Sequence, residues 1–187
     1  RQFWDDGGLE SKGSDKLIHG FNLFNKKHND SCLILFEYGP SVKKSKKLIR
    51  ELGIENNVVW VKKMPRKYIL ALIKKYASIG ADQFQTGLFG STAYEFMSQG
   101  IPVLNYLSLS PEEYEKNIGV PSPPIINVKT ASEITSSLHK YYTNKEELNQ
   151  LGVLVEKYFH EYLGRGAAKK YQDEIIRLYN QKSQLNN

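Results

Sequence analysis

Between residues 14 and 143, short apolar runs alternate with amphipathic stretches, and this alternation constrains the fold more than any other feature of the chain. Cys32-Leu33-Ile34-Leu35-Phe36 is continuously apolar, too short for a helix, and followed by Gly39-Pro40. Such a run predicts a strand buried on both faces, with Cys32 packed at its start. Val58 to Val61, Ser78 to Ala81, Val103 to Tyr106 and Ile125 to Val128 read as the other strands, the second of these being the weakest. A helix is predicted to start at Ser14-Asp15, whose side chains suit N-capping, and to stop near Asn29-Asp30. Its apolar face carries Leu17, Ile18, Phe21 and Phe24. Further helices are predicted from Ser41 to Leu52 with Gly53 as the stop, from Met64-Pro65 to Tyr76, and from Gly90 to Gln99 closed by Gly100. Because every crossover is a helix, the strands must pair in parallel. The predicted fold class is α/β, an open, doubly wound, mostly parallel sheet of about five strands with helices on both faces.

The remainder is less regular. Residues 1–12, with Asp5, Asp6, Gly7, Gly8 and Ser11, read as loop. Residues 107–124 hold Pro111, Pro121, Pro123 and Pro124 and read as one long irregular stretch. Everything after Ala131 is helical in pattern, with a break at Gly164-Arg165-Gly166. A single domain is expected over residues 1–187, with its core at about 12–143 and a helical C-terminal extension at about 144–183.

Composition excludes several classes. The chain of 187 residues is 40% hydrophobic and 25% charged, which rules out wholesale disorder. No apolar run approaches the roughly 18 residues of a membrane span. The opening Arg-Gln-Phe-Trp-Asp-Asp is not a signal-peptide pattern. Cys32 is the only cysteine, so no internal disulfide forms, and a reducing, cytoplasmic setting is expected. His19, His28, His139 and His160 show no metal-ligand spacing, and ordinary helix or surface positions are expected for them. The net charge of +6 is concentrated: residues 43–75 alone carry 11 basic and 2 acidic groups. Lys43, Lys44, Lys46, Lys47 and Arg50 form one block, and Lys62, Lys63, Arg66 and Lys67 a second. A solvated face is the plain reading of these blocks, and docking on an anionic membrane surface is the functional alternative. Nucleic-acid binding is not expected, since no recognition motif or regularly interleaved aromatics accompany the charge. The aromatics Tyr158, Phe159, Tyr162, Tyr171 and Tyr179 are expected to pack a helix onto the sheet or onto a partner domain.

The stretch from Asp82 to Leu104 carries the chemistry. It reads as strand end, glycine-bearing loop, helix start, helix stop and next strand. Gly87 and Gly90 let backbone approach a ligand closely. The amides of Gly90, Ser91 and Thr92 would face a phosphate at the helix start. Glu95 lies one turn deeper on the same face, where an acceptor-only carboxylate suits the vicinal hydroxyls of a ribose. Taken singly, each feature is more often a plain turn or a helix-dipole partner; in combination, phosphate and ribose describe a nucleotide.

Phe89-Gly90, Glu95 and Gly100-Ile101-Pro102-Val103-Leu104 resemble the "FG…EAMA-GxPV" signature of family-4 glycosyltransferases, retaining enzymes of the GT-B fold that use nucleotide sugars. Lys12-Gly13-Ser14-Asp15-Lys16-Leu17-Ile18 is similar to their "KGxdxLi" segment, and Tyr76-Ala77-Ser78 to "Y-x-AD". The resemblance runs from residue 1 to about residue 130. It implies that Arg1 and Lys12 bind the donor diphosphate as catalytic cations, together with Gly90, Ser91 and Thr92. It also implies that Glu95 binds the ribose, and that the nucleobase rests on Val61, Lys62, Lys63 and Met64. Gly87 stands where the family carries a second glutamate that contacts the sugar. Sugar contacts are then expected from Asp82, Gln83, Gln85, Thr86, Gly87 and Phe89.

The resemblance further implies a hexosyltransferase-type donor domain that takes a UDP- or GDP-sugar as substrate, with no cofactor and no metal. Its partners would be an N-terminal acceptor-binding domain and a glycan or lipid-linked acceptor, in the biosynthesis of a polysaccharide or glycoconjugate. Peripheral contact with the inner membrane face is the expectation attached to the basic blocks. A non-catalytic nucleotide-binding or scaffolding domain is the alternative that Gly87 permits.

Overall fold

The computed structural model describes residues 1–4 and 11–185. Asp5, Asp6, Gly7 and Gly8, read above as loop, lie outside them. In chain order the elements are α1 (Ser14–Asn25), β1 (Leu33–Phe36), α2 (Val42–Leu52), β2 (Val58–Val61), α3 (Arg66–Tyr76) and β3 (Gly80–Ala81). Then follow α4 (Ser91–Met97), β4 (Val103–Asn105), α5 (Pro111–Ile118), β5 (Ile126–Asn127), α6 (Ala131–Thr143), α7 (Lys145–Tyr158) and α8 (Arg165–Leu185). A short 3-10 turn, Glu55–Asn57, leads into β2, and a π-helical turn, Phe159–Leu163, separates α7 from α8.

All strand pairs are parallel, as helical crossovers require. β1 pairs with β2 in the register Leu33↔Val58 to Phe36↔Val61. β4 lies between β3 and β5, with Ala81↔Leu104 and Asn105↔Asn127 in register. Among the described residues the ladders are one of two strands and one of three. Backbone bonds of residues 2, 3, 12 and 84 run between them. Gln2 N–H donates to Tyr38 O at 2.6 Å, Lys12 N–H to Phe3 O at 2.8 Å, and Phe84 N–H to Lys12 O at 2.9 Å. The two ladders also share apolar packing. Ile18, Phe21 and Phe24 of α1 pack with Leu35 and Ile49, while Phe84, Leu104, Ile126 and Ile134 form a second cluster. Leu17 and Leu138 pack against both.

The helix ends show which local rules held. Gly53, at φ 68°, closes α2, and Gly100, at φ 69°, follows α4. α1 starts differently from expectation: Gly13, left-handed at φ 63°, is its N-cap and makes no side-chain cap. Ser14 Oγ instead accepts from Phe3 N–H at 3.3 Å. α5 lies inside the stretch read as irregular. It opens with a full capping box between Ser110 and Glu113 and has Pro111 in its first turn. Cys32 precedes the β1 ladder and is exposed, so it does not pack at the start of a buried strand; β1 itself buries only Leu35 fully. Of the late aromatics, Tyr158 is buried and donates through its hydroxyl to Pro121 O at 2.7 Å, while Tyr171 and Tyr179 are exposed. No described helix is long and apolar enough to cross a membrane.

Candidate functional site

The residues singled out around Lys12 and Gly90 meet at the carboxyl ends of the strands. β3 ends at Ala81, and Asp82 N–H continues the pairing by donating to Leu104 O at 3.1 Å. The Asp82 side chain has no solvent exposure. A carboxylate so placed needs donors, and it has two. Oδ1 lies 2.5 Å from Lys12 Nζ, and Oδ2 accepts from Gly90 N–H at 2.5 Å. Lys12 is held on both sides by its own backbone bonds to Phe3 and Phe84. Lys16 Nζ adds a second stitch to the same loop, donating to Phe84 O and Gln85 Oε1, each at 2.8 Å. A Cβ at residue 90 would lie 2.7 Å from Asp82 Oδ2 and 2.9 Å from Lys12 Nζ, so a larger residue would have to displace this pair.

Arg1 is exposed, with its guanidinium 4.8 Å from the centre of the Phe3 ring. Glu95 is largely buried and reaches Arg66 Nε at 3.2 Å. Arg66 opens α3 immediately after the segment proposed for the nucleobase. Sequence reasoning placed it only in a basic block; spacing along a chain cannot signal a contact between two crossover helices.

The Gly90, Ser91 and Thr92 amides differ in what they have to offer. Gly90 N–H is engaged by Asp82, whereas among the described residues no acceptor takes the Ser91 or Thr92 amide. Both lie at the start of α4, Ser91 exposed and Thr92 half-buried.

The residues expected around the sugar fall into two sets. Asp82 and Gln83 are buried and internally bonded; Gln83 Nε2 donates to Leu88 O, and Gln83 O accepts from Tyr106 N–H at 2.8 Å. Gln85 is exposed, and Thr86 and Phe89 are half-buried. Gly87 sits at φ 74°, and its carbonyl accepts from Ser108 N–H at 3.1 Å. A Cβ there would meet Ser108 Oγ at 2.5 Å, so the turn excludes larger residues. Asn127 holds the neighbouring backbone, accepting from Leu107 N–H and donating to Leu107 O, each at 2.9 Å.

The segment expected to hold the nucleobase follows the β2 ladder. Val61 ends β2, Lys62 and Lys63 are exposed, and Met64 is half-buried. Lys63 Nζ lies 5.2 Å from the centre of the Tyr38 ring. Two histidines read as ordinary do meet: His28 Nε2 and His139 Nδ1 are 3.0 Å apart, beside Phe24 and Tyr142. Among the described residues no group of three or more His, Cys, Asp or Glu side chains could hold a metal ion.

Comparison with known proteins gives three results. The family model of glycosyl transferases group 1 matches residues 8–152. No curated protein matches the chain. Solved structures match with low identity. The chain is similar to a point mutant of S. aureus TarM in complex with Fondaparinux, alpha-GlcNAc-glycerol and UDP, with a TM-score of 0.67 at 15% identity over 92% of this chain and 37% of that one. It is similar to the C-terminal domain of the group 1 family protein LpcC from Francisella tularensis, at 0.63 and 13%, over 81% and 79% of the two chains. It is also similar to the catalytic domain of cholesterol-alpha-glucosyltransferase from Helicobacter pylori, at 0.62 and 21%, over 84% and 96%. The chain thus spans little more than a third of TarM, 37% of its length.

Proposed function

The chain belongs to the glycosyl transferases group 1 family, and from that premise we propose that it is the donor-binding domain of an enzyme that transfers a sugar from a nucleotide-diphosphate sugar, with retention, to a glycan or lipid-linked acceptor. The observation that carries the reading is the convergence of Lys12, Asp82 and Gly90 at the carboxyl end of β3, with Glu95 one turn into the helix that Gly90 caps. Open parallel sheets take their ligands at that edge. An acceptor-binding domain is part of the proposal, since GT-B chemistry occurs between two such units.

The mechanism follows from charge. The bond between the anomeric carbon and the leaving phosphate oxygen breaks, and negative charge grows on the diphosphate. Lys12, with two N–H bonds left after its contact to Asp82, and Arg1 stabilise that charge in a partly desolvated site. The leaving phosphate oxygen takes the acceptor's proton. Side chains supply the positive charge, so the proposal calls on no metal. Glu95, oriented by Arg66, accepts the ribose hydroxyls.

UDP is the first probe, because TarM holds it in the similar structure. Thermal shift and calorimetry with UDP, GDP, ADP and their sugars test the reading. A ligand at about 100 times its dissociation constant should stabilise the domain by about 2.7 kcal/mol. Lys12→Arg should weaken UDP more than uridine. Silence towards every nucleotide refutes the proposal. Gly87 favours a second reading, a nucleotide-binding domain without transfer; binding of free nucleotide with no contribution from any sugar would select it.

A further inference from the structure

The proposed diphosphate site contains an anion of its own. Both oxygens of the buried Asp82 carboxylate are engaged, one by the Lys12 ammonium and one by the Gly90 amide, each at 2.5 Å. The Cβ position of Gly90 lies within 2.9 Å of Lys12 Nζ and of both Asp82 oxygens, so the three groups occupy one spot. Lys12 retains only 18% of its side-chain exposure. An ammonium cannot stay that dry without a counter-charge. With Asp82 beside it, the Lys12–Asp82 pair carries no net formal charge before any ligand arrives.

We propose that Asp82 is the resident counter-anion of the donor site. It keeps Lys12 in place while the site is empty, and it repels the diphosphate once the sugar has left. This inference rests on the donor-site reading given above. Asp82 acts through Lys12, so it is a positioning residue. Like charges a few ångströms apart disfavour one another strongly in a low-dielectric spot. A diphosphate leaving group gains negative charge on transfer, so the repulsion is greater for the product than for the intact donor. Asp82 therefore weakens product binding more than donor binding, and it favours release.

Titration calorimetry on the full chain separates the outcomes, with UDP and uridine as probes. Asp82→Asn keeps the size and one acceptor oxygen but removes the charge. The expected result is UDP binding at least about tenfold tighter than in the unmodified chain, with uridine affinity unchanged. A gain confined to the diphosphate cannot come from a damaged fold. Asp82→Ser, read in the same way, guards against an Asn variant that does not fold. Equal or weaker UDP binding in folded variants overturns the counter-anion role and leaves the donor reading intact. If neither the unmodified chain nor the variants bind UDP, the donor reading falls and this inference with it.

Discussion

Lys12→Met should be among the most destabilising single changes in this protein. The substitution keeps the length of the side chain and removes its charge. Asp82, with no exposure, then retains only the Gly90 N–H as a partner. Breaking one side of a buried pair costs about 3–5 kcal/mol, because the remaining charge is left uncompensated. An exposed pair would cost about 0–1 kcal/mol. The difference is large against a domain stability of about 5–15 kcal/mol. In a chain of this size it corresponds to a fall in Tm of roughly 6–20 °C. Urea unfolding followed by the fluorescence of Trp4 and Trp60 measures it. Asp82→Asn added to Lys12→Met should return most of the loss, since the stranded charge is gone, and the four chains form a double-mutant cycle. A loss below about 1 kcal/mol for Lys12→Met, or a double variant no more stable than the single one, would refute the assignment of Asp82 as a buried charge dependent on Lys12. Activity lost in any Lys12 variant has to be read at a temperature where that variant is folded.

Restoring the family's glutamate by Gly87→Glu should fail: the left-handed backbone costs about 1–2 kcal/mol for a residue with a Cβ, and the side chain collides with Ser108. Lowered stability with no gain in affinity for UDP-sugar over UDP is the expected calorimetric and thermal result, and Ser108→Gly should relieve only the collision. Burial first, then His28 and Lys27, hold His139 below its ordinary pKa. The unfolded chain therefore takes the proton more readily, and stability should fall as pH drops below about 6.5; urea midpoints between pH 8 and pH 5 should show a shallower fall in His139→Gln. Ser110→Ala removes the cap of α5 and should cost about 1 kcal/mol, read as a shift in the urea midpoint.

The sequence exposed what local chemistry decides. β2 fell where Val58 to Val61 place it, and α2 stopped at Gly53, because an apolar run and a left-handed glycine act within a few residues. α5 was equally local, since Ser110, Pro111 and Glu113 spell its start. The four prolines of residues 107–124 masked that signal. Cys32 shows the limit of residue type: it is apolar, but the parallel ladder begins one residue later and leaves it at the surface. The site was legible as a set of residue types and silent as a set of contacts. Lys12 and Asp82 are 70 residues apart, and His28 and His139 are 111 apart. No periodicity connects such pairs.

Leu17 and Leu138 belong to neither apolar cluster alone, since each packs against both. Shortening either side chain should loosen the surroundings of Leu35 and of Leu104 together, whereas a change inside one cluster is felt there first.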